Sequence, residues 1–143
     1  MPAAFSGKSL LFCFVLLWAP SGNTDSPIID VLSISGSAKT DVARQLGEPV
    51  HCAASYQGDA CQYAGGIEVV FMDGRADWIQ FAPEVEIPFE PAALRHIGLL
   101  PVLPTVRNPF RMHWDGHQGL AVVSMYGSGR YVALFQVHSF TTW

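Results

Sequence analysis

The sequence predicts an α+β protein: two helix–three-strand units forming an antiparallel sheet of about six strands, with short helices on one face. Three observations predict it. A helix stop recurs, Leu46-Gly47 and then Ile97-Gly98, 51 positions apart. After each stop come short apolar runs separated by glycine-containing turn pairs, the pattern of antiparallel hairpins. The two sets also match in order. Tyr63 and Trp114 are 51 apart, Ile67 to Val70 correspond to Leu120 to Val123 at an offset of 53, and Arg75 and Arg130 are 55 apart. A drifting offset is what loop-length changes leave in a duplicated unit. The expected organisation is residues 1–21 as a signal peptide, then one domain over 22–143 built from related units at about 27–82 and 86–138.

Residues 27–34 (PIIDVLSI) read as a short helix or an edge strand, with the helix preferred. Residues 36–49 (GSAKTDVARQLGEP) read as a helix of two to three turns. Ser37 is placed to cap it by accepting from a free amide, and Asp41 sits near the positive end of the dipole. Val42, Ala43 and Leu46 form the apolar stripe, and Gly47 with Pro49 ends the helix.

Strands are expected at 60–64, 67–72 and 76–82. Asp73-Gly74 between apolar runs is a strong hairpin signal, because a type I′ turn needs positive φ twice. That turn sets Phe71 opposite Ala76, Val69 opposite Trp78 and Ile67 opposite Gln80 on the expected core face. Residues 88–98 (PFEPAALRHIG) read as a second helix, with Pro91 in its first turn and Gly98 as its stop. Residues 99–108 read as loop and 110–115 as a strand. Residues 119–126 and 131–138 read as a hairpin across Ser128-Gly129. With that turn both faces of the hairpin are apolar: Tyr126 meets Tyr131 and Val122 meets Phe135, while Met125 meets Val132 and Val123 meets Leu134. A one-sided sheet alternates apolar and polar residues. Either this chain covers the second face, for which its tail from Ser139 to Trp143 is available, or a partner does.

The first residues have the form of an export signal. Lys8 and the amino terminus supply positive charge, residues 10–18 are an unbroken apolar run, and Pro20 breaks the helix. The run is too short to cross a hydrocarbon core of about 30 Å. Cleavage is expected after Ser21. Cys13 lies inside the apolar run behind Phe12, which does not suit a lipid-attachment cysteine. The expected location is therefore periplasmic or secreted, with no integral membrane segment after cleavage.

About 120 residues remain, enough for one domain with a real core. The formal charge is −4, and removing Lys8 takes it to about −5. The remaining chain has one lysine, Lys39, and no basic cluster, so nucleic acid and anionic lipid are poor partners. Cys52 and Cys61 survive cleavage, and an even count in an oxidising compartment reads as a disulfide. A redox pair usually has two intervening residues where this one has eight, and a zinc site needs more ligands nearby.

Candidate chemistry is sparse. His113, Asp115 and His117 invite a turn-bound metal, but hairpin histidines are more often solvated, so no metal or other cofactor is expected. Ser124 lies mid-strand with no nucleophile elbow. Glu84, Glu86 and Glu90 sit among prolines and read as a solvated linker. No enzyme is expected. Trp78, Trp114, Tyr126 and Tyr131 are the candidate partner-binding residues, because aromatics anchor interfaces at low entropic cost.

Gly36, Val42, Leu46, Gly47 and Pro49 stand at the spacing found in small outer-membrane assembly lipoproteins of the BamE (SmpA/OmlA) type. The segment also resembles the β-lactamase inhibitor proteins in its element order. The resemblance covers residues 36–81. Ala38 stands where the family usually has Ser or Thr, and the lipid-attachment cysteine is missing. The resemblance implies a helix-then-sheet fold and an unidentified envelope protein as partner. The expectation is thus a non-enzymatic exported protein-binding or envelope-assembly module, with a periplasmic small-ligand or metal carrier as the alternative.

Overall fold

A computed structural model describes residues 26–139. The expected signal peptide, Cys13 and tail residues 140–143 lie outside the described residues. The chain forms helices α1 (Val31–Ile34) and α2 (Lys39–Leu46), then strands β1 (His51–Ser55), β2 (Gly58–Tyr63), β3 (Ile67–Met72) and β4 (Arg75–Phe81). A 3-10 helix follows at Pro91–Ile97, then β5 (Val106–Asn108), β6 (Arg111–His117), β7 (Leu120–Ser128) and β8 (Tyr131–Ser139). All eight strands belong to one antiparallel sheet in the order β1-β2-β3-β4-β8-β7-β6-β5.

This corrects the expected two helix–three-strand units and six-strand sheet. The helices are short and the sheet dominates. The two strands that sequence reading did not find are its edges. β1 is HCAAS, exposed at every position, and β5 is the three residues VRN, also exposed. A strand that buries nothing carries no apolar alternation, so periodicity cannot report it. Residues 106–108, read as loop, are held instead by pairing with β6.

Asp73 and Gly74 both take positive φ, 51° and 76°, as the expected turn requires. Phe71 then pairs with Ala76 as anticipated, but the register slips at Val70. Beyond the bulge Val70 faces Trp78, Val69 faces Ile79 and Ile67 faces Phe81. The cause lies in α1 and α2's connection. Ala76's amide donates to Ser37 O (2.8 Å), and its carbonyl accepts from Gly36 N (2.7 Å). With Ala76 engaged there, Asp77 becomes the extra residue of a β-bulge. Gly36 sits at φ 73° while making this contact, and its carbonyl accepts from Arg75 Nη1. Ser37 does not cap α2: its hydroxyl donates to Ser33 O, and the cap position belongs to Ala38.

The second hairpin turns at Gly129-Arg130, because Ser128 pairs with Tyr131. A bulge at Tyr126/Gly127 then sets Met125 against Phe135, Val123 against Val137, Ser124 against Gln136 and Val122 against His138. The doubly apolar hairpin expected from sequence is thereby corrected. One face is apolar and the other mixed, as for a sheet covered on one side.

The covered face carries the core. Val69, Phe71, Ile79, Phe81, Met112, Val123, Phe135 and Val137 join Val31, Ile34 and Val42 of the helices and Leu94 and Ile97 of the 3-10 helix in one cluster. Phe81 and Phe135 are paired where β4 meets β8, and their rings stack with centroids 5.9 Å apart. The second expected helix is a 3-10 helix that ends at Gly98 in the left-handed region.

Candidate functional site

Among the described residues, the buried side chains of the helices join the core on the covered face. Following the cross-strand register, one row on the opposite face reads Val70, Trp78, His138, Val122, Asp115, from β3 to β6. The next row crosses all eight strands as His51, Gln62, Glu68, Gln80, Gln136, Ser124, His113, Val106. The middle of this open face is thus polar, flanked by Trp78 on one side and Tyr126 on the other. It owes its composition to the two bulges, which bring Trp78, His138, Ser124 and Tyr126 to the same side.

Two polar groupings lie on this floor. In the first, the Asp77 carboxylate, 2% exposed, accepts from His138 Nε2 at 3.0 Å. The Trp78 ring meets His138 edge-on at 5.0 Å. A pocket of about 280 Å3 opens beside them, walled by Val70, Met72 and Tyr56. Tyr56 projects from the β1–β2 tip and is 96% exposed. Asp77 Oδ1 and Trp78 Nε1 are buried without a hydrogen-bond partner among the described residues.

In the second, His113 Nδ1 lies 2.7 Å from Arg111 Nη2 and 2.9 Å from Ser124 Oγ, and His113 Nε2 lies 2.7 Å from Asp115 Oδ1. Guanidinium has only donors, so Nδ1 is the acceptor and Nε2 carries the proton given to Asp115. The serine–histidine–aspartate order invites comparison with a hydrolase triad. The chemistry differs. The Nδ1 lone pair that would take the serine proton already accepts from Arg111, and Ser124 is 3% exposed within a strand. Sequence reading met each residue but not their union, because only the β6–β7 register brings His113 beside Ser124.

The four aromatic candidates separate. Trp78 and Tyr126 lie on the open face, and both line a cavity shared with Arg111 and His138. Trp114 lies on the covered face, 2% exposed, with Nε1 donating to Val102 O at 3.0 Å. Tyr131, 39% exposed, sits at the β7–β8 turn and bridges to Pro88. Within the stretch 99–108 expected as loop, Leu100 is tied down: its N donates to Gln118 Oε1 and its carbonyl accepts from His117 Nε2. Among the described residues, no three His, Cys, Asp or Glu side chains are placed to hold a metal.

Cys52 and Cys61 form a disulfide between directly opposed positions of β1 and β2. Among the described residues no helix is long and apolar enough to cross a membrane. No protein-family model matches the chain, and no curated protein or solved structure matches it either.

Proposed function

We propose that this chain is an exported, non-enzymatic protein-binding module of the cell envelope, and that its partner docks on the open face of the sheet. One observation carries the reading: a floor of eight strands on the face opposite the helices, with Trp78 and Tyr126 flanking its polar centre. Eight strands about 4.8 Å apart make a face roughly 35 Å across, ample for the ~800 Å2 that one partner contributes to a standard interface. Trp78 and Arg111 line a cavity on this face and each keeps a side-chain nitrogen without a partner among the described residues, which favours a polar group of a docked partner there. The disulfide suits an oxidising compartment, and so supports export to the periplasm or beyond. The resemblance of residues 36–49 to envelope-assembly proteins is part of the same reading.

The test is affinity capture from a periplasmic extract with the wild-type protein and with Trp78→Ala and Tyr126→Ser. A stoichiometric protein partner is expected, with its retention reduced about 30-fold or more by each change if the aromatics are interface anchors worth about 2 kcal/mol. Equal capture by folded variants of lowered melting temperature would assign both residues to stability alone and sink the reading.

A further inference from the structure

Arg111 is a half-buried cation without a counter-ion. Among the described residues, no carboxylate lies within salt-bridge distance of it. Its Nη2 spends its hydrogen bonding on His113 Nδ1 and, at 3.4 Å, on Ser124 Oγ, both uncharged. The Tyr126 ring lies 5.8 Å from the guanidinium carbon. Its Nε is buried and has no partner among the described residues. The same is true of Trp78 Nε1, three strands away in sheet order. Both side chains line one cavity of about 140 Å3, together with Ser124, Tyr126, Gln136 and His138.

Two side chains that each keep an orphaned donor line one small cavity, and their chemistry defines its complement. Arg and Trp side-chain nitrogens only donate, so the occupant must accept. A neutral carbonyl satisfies hydrogen bonds but leaves the guanidinium charge uncompensated. A carboxylate does both, and it has two oxygens with which to accept. The nearest acids do not supply it: Asp115 is held by His113 Nε2, and Asp77 is held by His138 on the β4 side.

We propose that this cavity receives the carboxylate of an Asp or Glu side chain presented by the docked partner. The proposal rests on the docking reading above and names the partner's chemistry: an acidic side chain projecting from its surface, inserted between Trp78 and Tyr126. Arg111 supplies the charge, Trp78 Nε1 the second hydrogen bond, and the aromatic rings exclude water around the pair.

The test uses the purified protein alone, so its failure leaves the docking reading to be judged by capture. The Trp78 indole N–H resonance, assigned by its loss in Trp78→Phe, is followed by 15N NMR. Titrants are sodium acetate, acetyl-Gly-Glu-Gly-amide and acetyl-Gly-Gln-Gly-amide, at matched ionic strength. Acetate and the glutamate peptide are expected to give saturable shifts in the millimolar range, about −4 kcal/mol of binding or weaker. The glutamine peptide is expected to give none, and Arg111→Gln to weaken the acidic titrants at least about tenfold. Should Arg111→Gln fail to fold, Arg111→Lys keeps the charge without Nε and is expected to weaken binding severalfold. No saturable shift, equal shifts from the glutamine peptide, or unchanged affinity in the Arg111 variant overturns the proposal. Acetate binding with the glutamate peptide excluded also overturns it, by assigning the cavity to free small acids.

Discussion

Tyr63 shows how a single buried group sets a pH dependence. Its hydroxyl is buried without a partner among the described residues. Burial, and then the nearby Glu48 charge, raise its pKa above the ordinary 10.0. The neutral phenol is therefore the form the fold favours. Below pH 10 the residue is neutral in folded and unfolded chains alike, and its contribution is intact. As pH rises past 10 the unfolded chain loses this proton first, so stability falls until the folded group ionises too. Tyr63→Phe is expected to flatten that decline, read as the change in urea midpoint between pH 8 and pH 11 against wild type. At pH 7 the same change is expected to be neutral or to stabilise by up to ~1 kcal/mol, since it deletes an unpaired buried hydroxyl. An alkaline decline as steep as wild type would place the titrating group elsewhere.

At the scale of the element, β1 depends on its covalent tie. All five of its residues are exposed, so it adds nothing to the core and stays in place by pairing with β2 and by the Cys52–Cys61 bond. Cys61 is in the core cluster, which anchors the exposed strand to the packed interior. Reduction, or the paired change Cys52→Ala with Cys61→Ala, is expected to cost about 2.5–3 kcal/mol on the chain-entropy model. The loss should be local at first: amides of β1 and the 55–58 tip should exchange much faster while those of β4 and β8 stay protected. Uniform acceleration across the sheet would show instead that β1 belongs to the main cooperative unit. The bulges are the other decisive local feature. The one in β4 accompanies the contacts of Ala76 with Gly36 and Ser37, distant in sequence, and each bulge changes which residues share a face.

For the whole molecule the seam between β4 and β8 is the critical joint. It joins the four strands of the first half of the described chain to the four of the second, and Phe81 on Phe135 spans it. Removing one ring leaves a cavity at the centre of a single core. Phe135→Ala is therefore expected to cost about 3–5 kcal/mol, measured by denaturant unfolding. Both halves should lose structure in one transition, because the core is one cluster. Two separate transitions would show that the halves of the sheet are independently stable.

The amino-acid sequence by itself determined a good deal. The Asp73-Gly74 turn, the stops at Gly47 and Gly98, the disulfide pair and most inner strands were legible, because each rests on local chemistry: positive φ, a broken helix, two thiols, an apolar run. Trp78, Trp114 and Tyr126 were named together as candidate docking aromatics, although the expected register put Trp78 on the core face; the structure sets Trp78 and Tyr126 on the open face and Trp114 on the covered one. What only the tertiary structure decided is the number of strands, the register and the membership of the open face. Edge strands bury nothing and so leave no pattern. Register is set by backbone pairing over long separations, such as Ala76 with Ser37, and a one-residue slip moves every side chain beyond it to the other face. That is why Arg111, read from the sequence only as part of a strand, lines the same cavity as Trp78.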